Sequence, residues 1–271
     1  MIDVHLEELL KKYTVIDTHF HPGNTTPHGE FYIDDNKQIE IYKKFNFRYV
    51  IGSHMANIYA MDYGTEKLLE IIDRFKGFVY GLMIFNPNCE VESLKIIKEH
   101  IDKKEIVGIK IHPSLYSCYP EDIKYLKFCE FADENELVIL THSWNPNVPN
   151  KMHRFSNPFL FEDIVKKYKK LKLILGHAGG KGDYLYKVAD LVKKYENLYV
   201  DFAGDTFEPG IIEYYVEKVG SEKILFGTDC PFNDIRFHLI RLLNAKISEH
   251  DRNNIFGMNT LRLFKIERNN K

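Results

Sequence analysis

Two histidines one residue apart, His19 and His21, close the apolar run in VIDTHFHPG (residues 15–23). Residues two apart on a strand present their side chains to one face. Their Cα atoms then lie roughly 6.6 Å apart, close enough for both imidazoles to reach one cation. By the same alternation Asp17 belongs to that face, one step deeper. Alone, H-x-H is weak ground for a metal site, because a polar strand end also carries histidines. His142, His177 and Asp229 strengthen it, since each follows an apolar run of its own. Imidazoles plus a carboxylate suit a divalent ion, and a site of this kind keeps coordination positions open for chemistry. Such an ion lowers the pKa of bound water toward about 7. Asp229 would both ligate the ion and accept the water's proton. His177 would be a general acid/base, an oxyanion stabiliser or a ligand of a second ion.

Residues so far apart in sequence need a scaffold that gathers them. Eight short runs rich in Val, Ile and Leu supply one, at 14–20, 47–54, 78–86, 106–113, 137–143, 171–179, 198–204 and 224–230. Each is closed by Gly, Pro, Asn or Ser, as a buried parallel strand is. Helical patterns lie between them. Thr65 is the expected cap of one helix and Gly77 its stop, Pro120 opens another, and Ser248 with Asp251 stands in near capping-box spacing. Seven units of roughly 30 residues separate the first and last runs, which fits a strand plus crossover helix. The spacing predicts a (β/α)8 barrel in one domain, residues 1–271, rather than a dinucleotide fold, whose G-x-G-x-x-G is absent after the first run.

In such a barrel chemistry sits at the carboxyl ends of the strands. Those ends hold His19, His21, His54, Lys110, His112, His142, His177, Asp201 and Asp229, including six of the twelve histidines. Core packing gives no reason for that concentration. Lys110, His112, His54 and Trp144 are candidate substrate contacts, and Asp201 a candidate acceptor that orients a ligand. The polar stretch after the first strand is expected to loop over the mouth. The loops at 22–37, 55–64, 114–121, 144–158 and 203–210 should set specificity, and His153 and Arg154 in one of them could meet a carboxylate.

Composition narrows the setting. A net charge of -2 with lysines and glutamates interspersed gives no general attraction to nucleic acid or acidic membranes. No apolar stretch reaches the roughly 18 residues of a membrane span. The N-terminal MIDVHLEELLKKY is an acidic amphipathic helix, unlike a signal peptide. Four cysteines without a C-x-x-C pair read as reduced and structural, which points to the cytoplasm.

The motifs VIDTHFHPG, GIKIHP, THSW, LGHAGG and LFGTDCPF, followed by SEHDRNNIFGMNTLRLF, resemble the amidohydrolase superfamily from Val15 to Phe264. The similar branch is the amidohydrolase-2 group of metal-dependent hydrolases and non-oxidative decarboxylases of the aminocarboxymuconate-semialdehyde type. The resemblance implies a distorted barrel with a divalent ion, usually zinc, held by His19, His21, His142 and Asp229. His177 is then the catalytic histidine of one-metal members, or with Lys110 a ligand of the second ion in two-metal members. Lys110 alternatively binds a substrate carboxylate. A homodimer is a further expectation of the resemblance.

The leading expectation is a hydrolase that uses metal-activated water on an amide, ester or lactone of a small molecule. The alternative is a metal-dependent non-oxidative decarboxylase of a small carboxylate. A barrel phosphoesterase comes third, because it wants more acidic bridging ligands and a basic groove, while Arg48, Arg74, Arg154, Arg236 and Arg241 are scattered.

Overall fold

The computed structural model of the protein describes residues 2–23, 25–26, 29–30 and 34–266. Each of the eight apolar runs forms a strand. They are β1 (Val15–Phe20), β2 (Phe47–Gly52), β3 (Val79–Ile84), β4 (Ile106–Ile111), β5 (Val138–His142), β6 (Lys172–Gly176), β7 (Leu198–Asp201) and β8 (Ile224–Leu225). Strands covered on both faces need no polar alternation, and burial is unbroken along β1 and β3. All eight pair in parallel and in sequence order. The ring closes where Phe20 bridges Cys230 and Thr18 N–H donates to the Phe226 carbonyl at 2.9 Å. The result is the nearly closed (β/α)8 barrel that the spacing predicts.

Helices pack around the strands. Met61–Arg74 buries Leu68, Ile71 and Ile72. It starts a turn before Thr65, because the Asn57 side chain donates to both the Met61 carbonyl and the Thr65 hydroxyl and anchors that extra turn. Likewise Ile123–Glu134 starts after Asp122 rather than at Pro120, the Asp122 carboxylate accepting the Lys124 N–H at 2.9 Å. Ser248 does cap its helix, accepting the Asp251 N–H at 3.1 Å. No helix among the described residues is long and apolar enough to cross a membrane.

Alternate residues of the strands point inward. Tyr80, Leu82, Val138, Leu140, Ile174 and Leu225 form an apolar plug with Leu261 and Phe264. On β5, His142 continues the inward series of Val138 and Leu140 above the plug. One expectation about faces is corrected. The ladder of β1 slips between Asp17 and Phe20, so the two-residue alternation breaks there. Asp17 therefore turns away from His19 and His21 and accepts from the Tyr42 hydroxyl at 2.6 Å and from Thr228 N–H at 3.1 Å. Of the loop expected over the mouth, residues 24, 27–28 and 31–33 lie outside the described residues, and Asp35–Lys44 forms a helix.

Candidate metal centre

The strand ends open into a cavity of 520 Å³ lined by His19, His21, Lys110, His142, His177 and Asp229, among others. Its floor is set by hydrogen bonds that fix each imidazole. His19 Nδ1 lies 2.9 Å from Asp201 Oδ2, so the proton sits on Nδ1 and the Nε2 lone pair faces the cavity. That lone pair accepts from Lys110 Nζ at 2.8 Å. His21 is fixed the same way, its Nδ1 donating to the Ser53 carbonyl at 3.1 Å. His177 Nδ1 donates to the Ala203 carbonyl at 3.0 Å. In all three, Nε2 is left for the site.

Asp229 completes the floor, with Oδ1 at 3.2 Å from His21 Nε2 and 3.7 Å from His19 Nε2. His19, His21 and Asp229 thus offer ligand atoms within 4.8 Å of one another, and so do His19, His177 and Asp201. His142 stands outside both groups. Its ring lies 4.8 Å from that of His177, and its Nε2 is buried without a partner among the described residues.

Asp229 and His177 both turn in the left-handed region, with φ of 64° and 63°. Non-glycine residues adopt this only where the surroundings hold them. The Asp229 N–H donates to the His19 carbonyl at 2.7 Å, and the His177 N–H to Asp201 Oδ1 at 2.8 Å. Gly204, itself at φ +71°, lets the chain pass beside both: a Cβ there would stand 2.8 Å from His177 Nδ1.

Burial shapes the charges. It lowers Lys110 to about 8, against the pull of Asp201 and Asp229. Burial and the facing Lys110 hold His19 at about 3, although Asp201 opposes them. For Asp201 burial favours the neutral acid, but His19 and His177 outweigh it and bring the carboxyl to about 2. Asp229 is likewise depressed, burial being overcome by the adjacent His21 and by His177 and His19. His112 and His142 are pushed well below the usual imidazole range, first by burial and then by Lys110 and the imidazoles packed around them. The site sets imidazole nitrogens beside two carboxylates held in the charged form, a donor set that fits a divalent cation.

The remaining sequence candidates divide. His112 and Trp144 line the cavity and flank His142 in near-parallel stacks, at 4.1 Å and 9° and at 5.8 Å and 5°. Gly180, at φ +86°, makes room for Trp144, since a Cβ would meet its Cδ2 at 2.8 Å. His54 does not line the cavity; its Nδ1 accepts the Ala56 N–H at 3.2 Å. Nor does Arg154, which lies over the Phe155 ring, whereas His153 lines the wall beside Trp144. Cys230 is a free thiol pushed up to about 12 by burial. Met55, Leu115, Met152 and Phe232 were not singled out individually from sequence. Their one signal is position, just beyond a strand end or in a loop that follows one.

A parallel barrel with imidazoles and carboxylates gathered at its strand ends defines a metal-dependent class, and the comparisons agree. The amidohydrolase model Amidohydro_2 matches residues 16–266, and the chain belongs to that family. The gamma-resorcylate decarboxylase of Rhodococcus jostii (strain RHA1) is 31% identical, with 77% of this chain and 76% of that protein covered. Its namesake from Polaromonas sp. (strain JS666 / ATCC BAA-500) is 32% identical over 125 residues, so 39% of this chain matches 37% of that protein's length. A 2,6-dihydroxybenzoate decarboxylase solved with 2,6-dihydroxybenzoate superposes with a TM-score of 0.76 at 16% identity, covering 94% of this chain and 100% of that one. A dihydroxybenzoic acid decarboxylase from Polaromonas sp. JS666, solved with manganese and the inhibitor 2-nitroresorcinol, gives 0.70 at 18% identity, covering 94% and 98%. At those identities the structural likeness speaks for the fold alone. These relatives back the decarboxylase alternative rather than the leading hydrolase expectation. They support a divalent metal without singling out zinc.

Proposed function

We propose that this protein is a divalent-metal-dependent non-oxidative decarboxylase of a small aromatic carboxylate, with one ion held by His19, His21, His142 and Asp229. The observation that carries the reading is the convergence of His19 Nε2, His21 Nε2 and Asp229 Oδ1 on the cavity floor, each imidazole already fixed through Nδ1. The orphaned Nε2 of His142 is independent support, because a buried ring nitrogen without a partner is costly and a cation relieves it. The relatives' names favour loss of carbon dioxide over hydrolysis of an amide, ester or lactone. Manganese or zinc suits the donors.

An ion held by His19, His21, His142 and Asp229 would supply positive charge toward an acidic substrate. The chain's own residues do the rest. Trp144 and the stacked imidazoles of His112 and His142 line one side of the cavity as a rigid set of parallel rings that confines a bound ring and keeps water off it. His177 presents Nε2 to the cavity and, when protonated there while Nδ1 stays on the Ala203 carbonyl, delivers the proton that the ring carbon takes up. As the bond to the carboxyl carbon breaks, its electron pair stays on the ring, carbon dioxide leaves, and that carbon is protonated. Two ions using Lys110 and His177 are the other loading of this site, distinguished by metal content per chain.

Carbon dioxide release from hydroxybenzoates, measured beside hydrolysis of lactones and amides after manganese or zinc is restored, tests the reading. Release is expected from the native chain, falling by ~10²–10⁴-fold in His177→Asn. Hydrolytic product with no carbon dioxide would sink it.

A further inference from the structure

We infer that the cavity accepts a monocarboxylate and rejects a diacid, because among the described residues its metal end is where a carboxylate meets positive charge. The inference rests on the decarboxylase reading for the placement of that first carboxylate.

Among the described residues, Lys110 is the one Lys or Arg that lines the cavity. It is 2% exposed and its Nζ stands on His19 Nε2, at the floor. The wall away from the floor carries no Lys or Arg among the described residues, with Met55, Met152 and Phe232 as its apolar part and Asn150 and Asn233 as neutral polar groups. His112 adds a donor but no charge. Its Nδ1 accepts the Leu115 N–H at 3.3 Å, which an unprotonated nitrogen alone can do, so its proton is on Nε2.

The cations beside lining residues do not themselves line the cavity: Lys151, between Asn150 and Met152, is exposed and is not part of the lining. Lys181 pairs with Asp205, and it is Asp205, not Lys181, that lines the cavity. Arg154 lies 4.7 Å over the Phe155 ring. The segment 24–33, NTTPHGEFYI, contains neither Lys nor Arg. A second carboxylate on the far side of the ring would therefore be desolvated without a partner and would face Asp205. The volume of 520 Å³ leaves room for a substituted single ring, so the exclusion is electrostatic rather than steric.

The test is a matched pair, salicylate and its 4-carboxy derivative, whose second carboxylate lies across the ring from the first, titrated calorimetrically into manganese-loaded protein at neutral pH. Binding is the readout, so the result does not depend on turnover. The diacid is expected to bind at least ~10-fold more weakly. Met152→Arg, at a residue 36% exposed, should bring the two within about threefold by supplying the missing cation. Asp205→Asn is a second arm that narrows the ratio by removing the rim carboxylate. Equal or tighter binding of the diacid to the native chain, no binding of either acid, or a ratio that neither variant moves would overturn the inference. Discrimination without any carbon dioxide release would support it while overturning the decarboxylase reading alone.

Discussion

The two ends of the barrel enclose cavities of comparable size, 520 Å³ at the carboxyl ends of the strands and 440 Å³ at the amino ends. Both are lined by titratable groups, yet they are built on opposite terms. At the amino end charges stay in water: Lys265 and Glu136 pair at 3.3 Å with side chains 77% and 57% exposed. At the carboxyl end His19, Lys110 and Asp201 are essentially buried, and each touches another of the three or an atom beside it. Between the ends the same inward faces carry Leu82, Leu140 and Ile174. Cavity volume does not separate a site from a surface cleft here. What separates them is charge kept out of water and held in one geometry, which is costly unless every atom has its partner.

Asp201 is where that difference can be broken most directly. Its two oxygens fix His19 Nδ1–H, His177 N–H and Ala203 N–H. In Asp201→Asn the oxygen keeps the two backbone donors, and the amide NH₂ then faces His19 Nδ1. The imidazole must answer with a lone pair on Nδ1, which moves its proton to Nε2, the atom needed for the ion. Manganese affinity should fall by ~10–100-fold with the far-ultraviolet circular dichroism unchanged. The control at the opposite end, Glu222→Gln, should leave affinity within about twofold. Equal losses in both variants would erase the distinction between the two ends.

Asp17 sharpens the comparison from below, because it is buried like the carboxyl-end groups but turned out of the cavity. Burial raises its pKa from 3.8 to about 7, although bonds from Thr228 and Tyr42 oppose the rise. The folded chain then binds a proton that the unfolded chain has released between those values. Asp17 therefore contributes a stability that falls as pH rises through that window, by at most ~1.4 kcal/mol per pH unit. Asp17→Asn should flatten the dependence, since an amide oxygen still accepts the His19 and Thr228 N–H groups. Melting temperatures across roughly pH 4–7 are the check. An unchanged slope in the variant would assign the dependence elsewhere.

Asp17 also marks how far the sequence could be read. The eight strands were legible because a strand buried on both faces is an unbroken apolar run. His19 and His21 were legible as a pair because alternation survives between them. Asp17 was not, since a register slip leaves no letter in VIDTHF, and its partner Thr228 lies more than two hundred residues away. The start of Met61–Arg74 was missed for a similar reason: the Asn57 side chain that anchors it is outside the helical pattern. The cavity wall was legible only as a set of loops. Met55, Met152 and Phe232 meet through tertiary packing, and nothing in their local sequence orders that meeting.

The smallest expected effect lies at the amino end, and it bears on the comparison by its smallness. Glu136→Gln removes the partner of Lys265. Both side chains are mostly solvated, so water replaces the lost contact and salt already screens it. The stability change should stay below ~1 kcal/mol, with manganese affinity untouched. Raising the salt should shrink even that difference, because exposed pairs weaken with ionic strength whereas the buried contacts of Asp201 do not. A loss well above this range, insensitive to salt, would mean that the amino-end charges form a coupled network of their own. The two cavities would then differ in chemistry but not in how they are held.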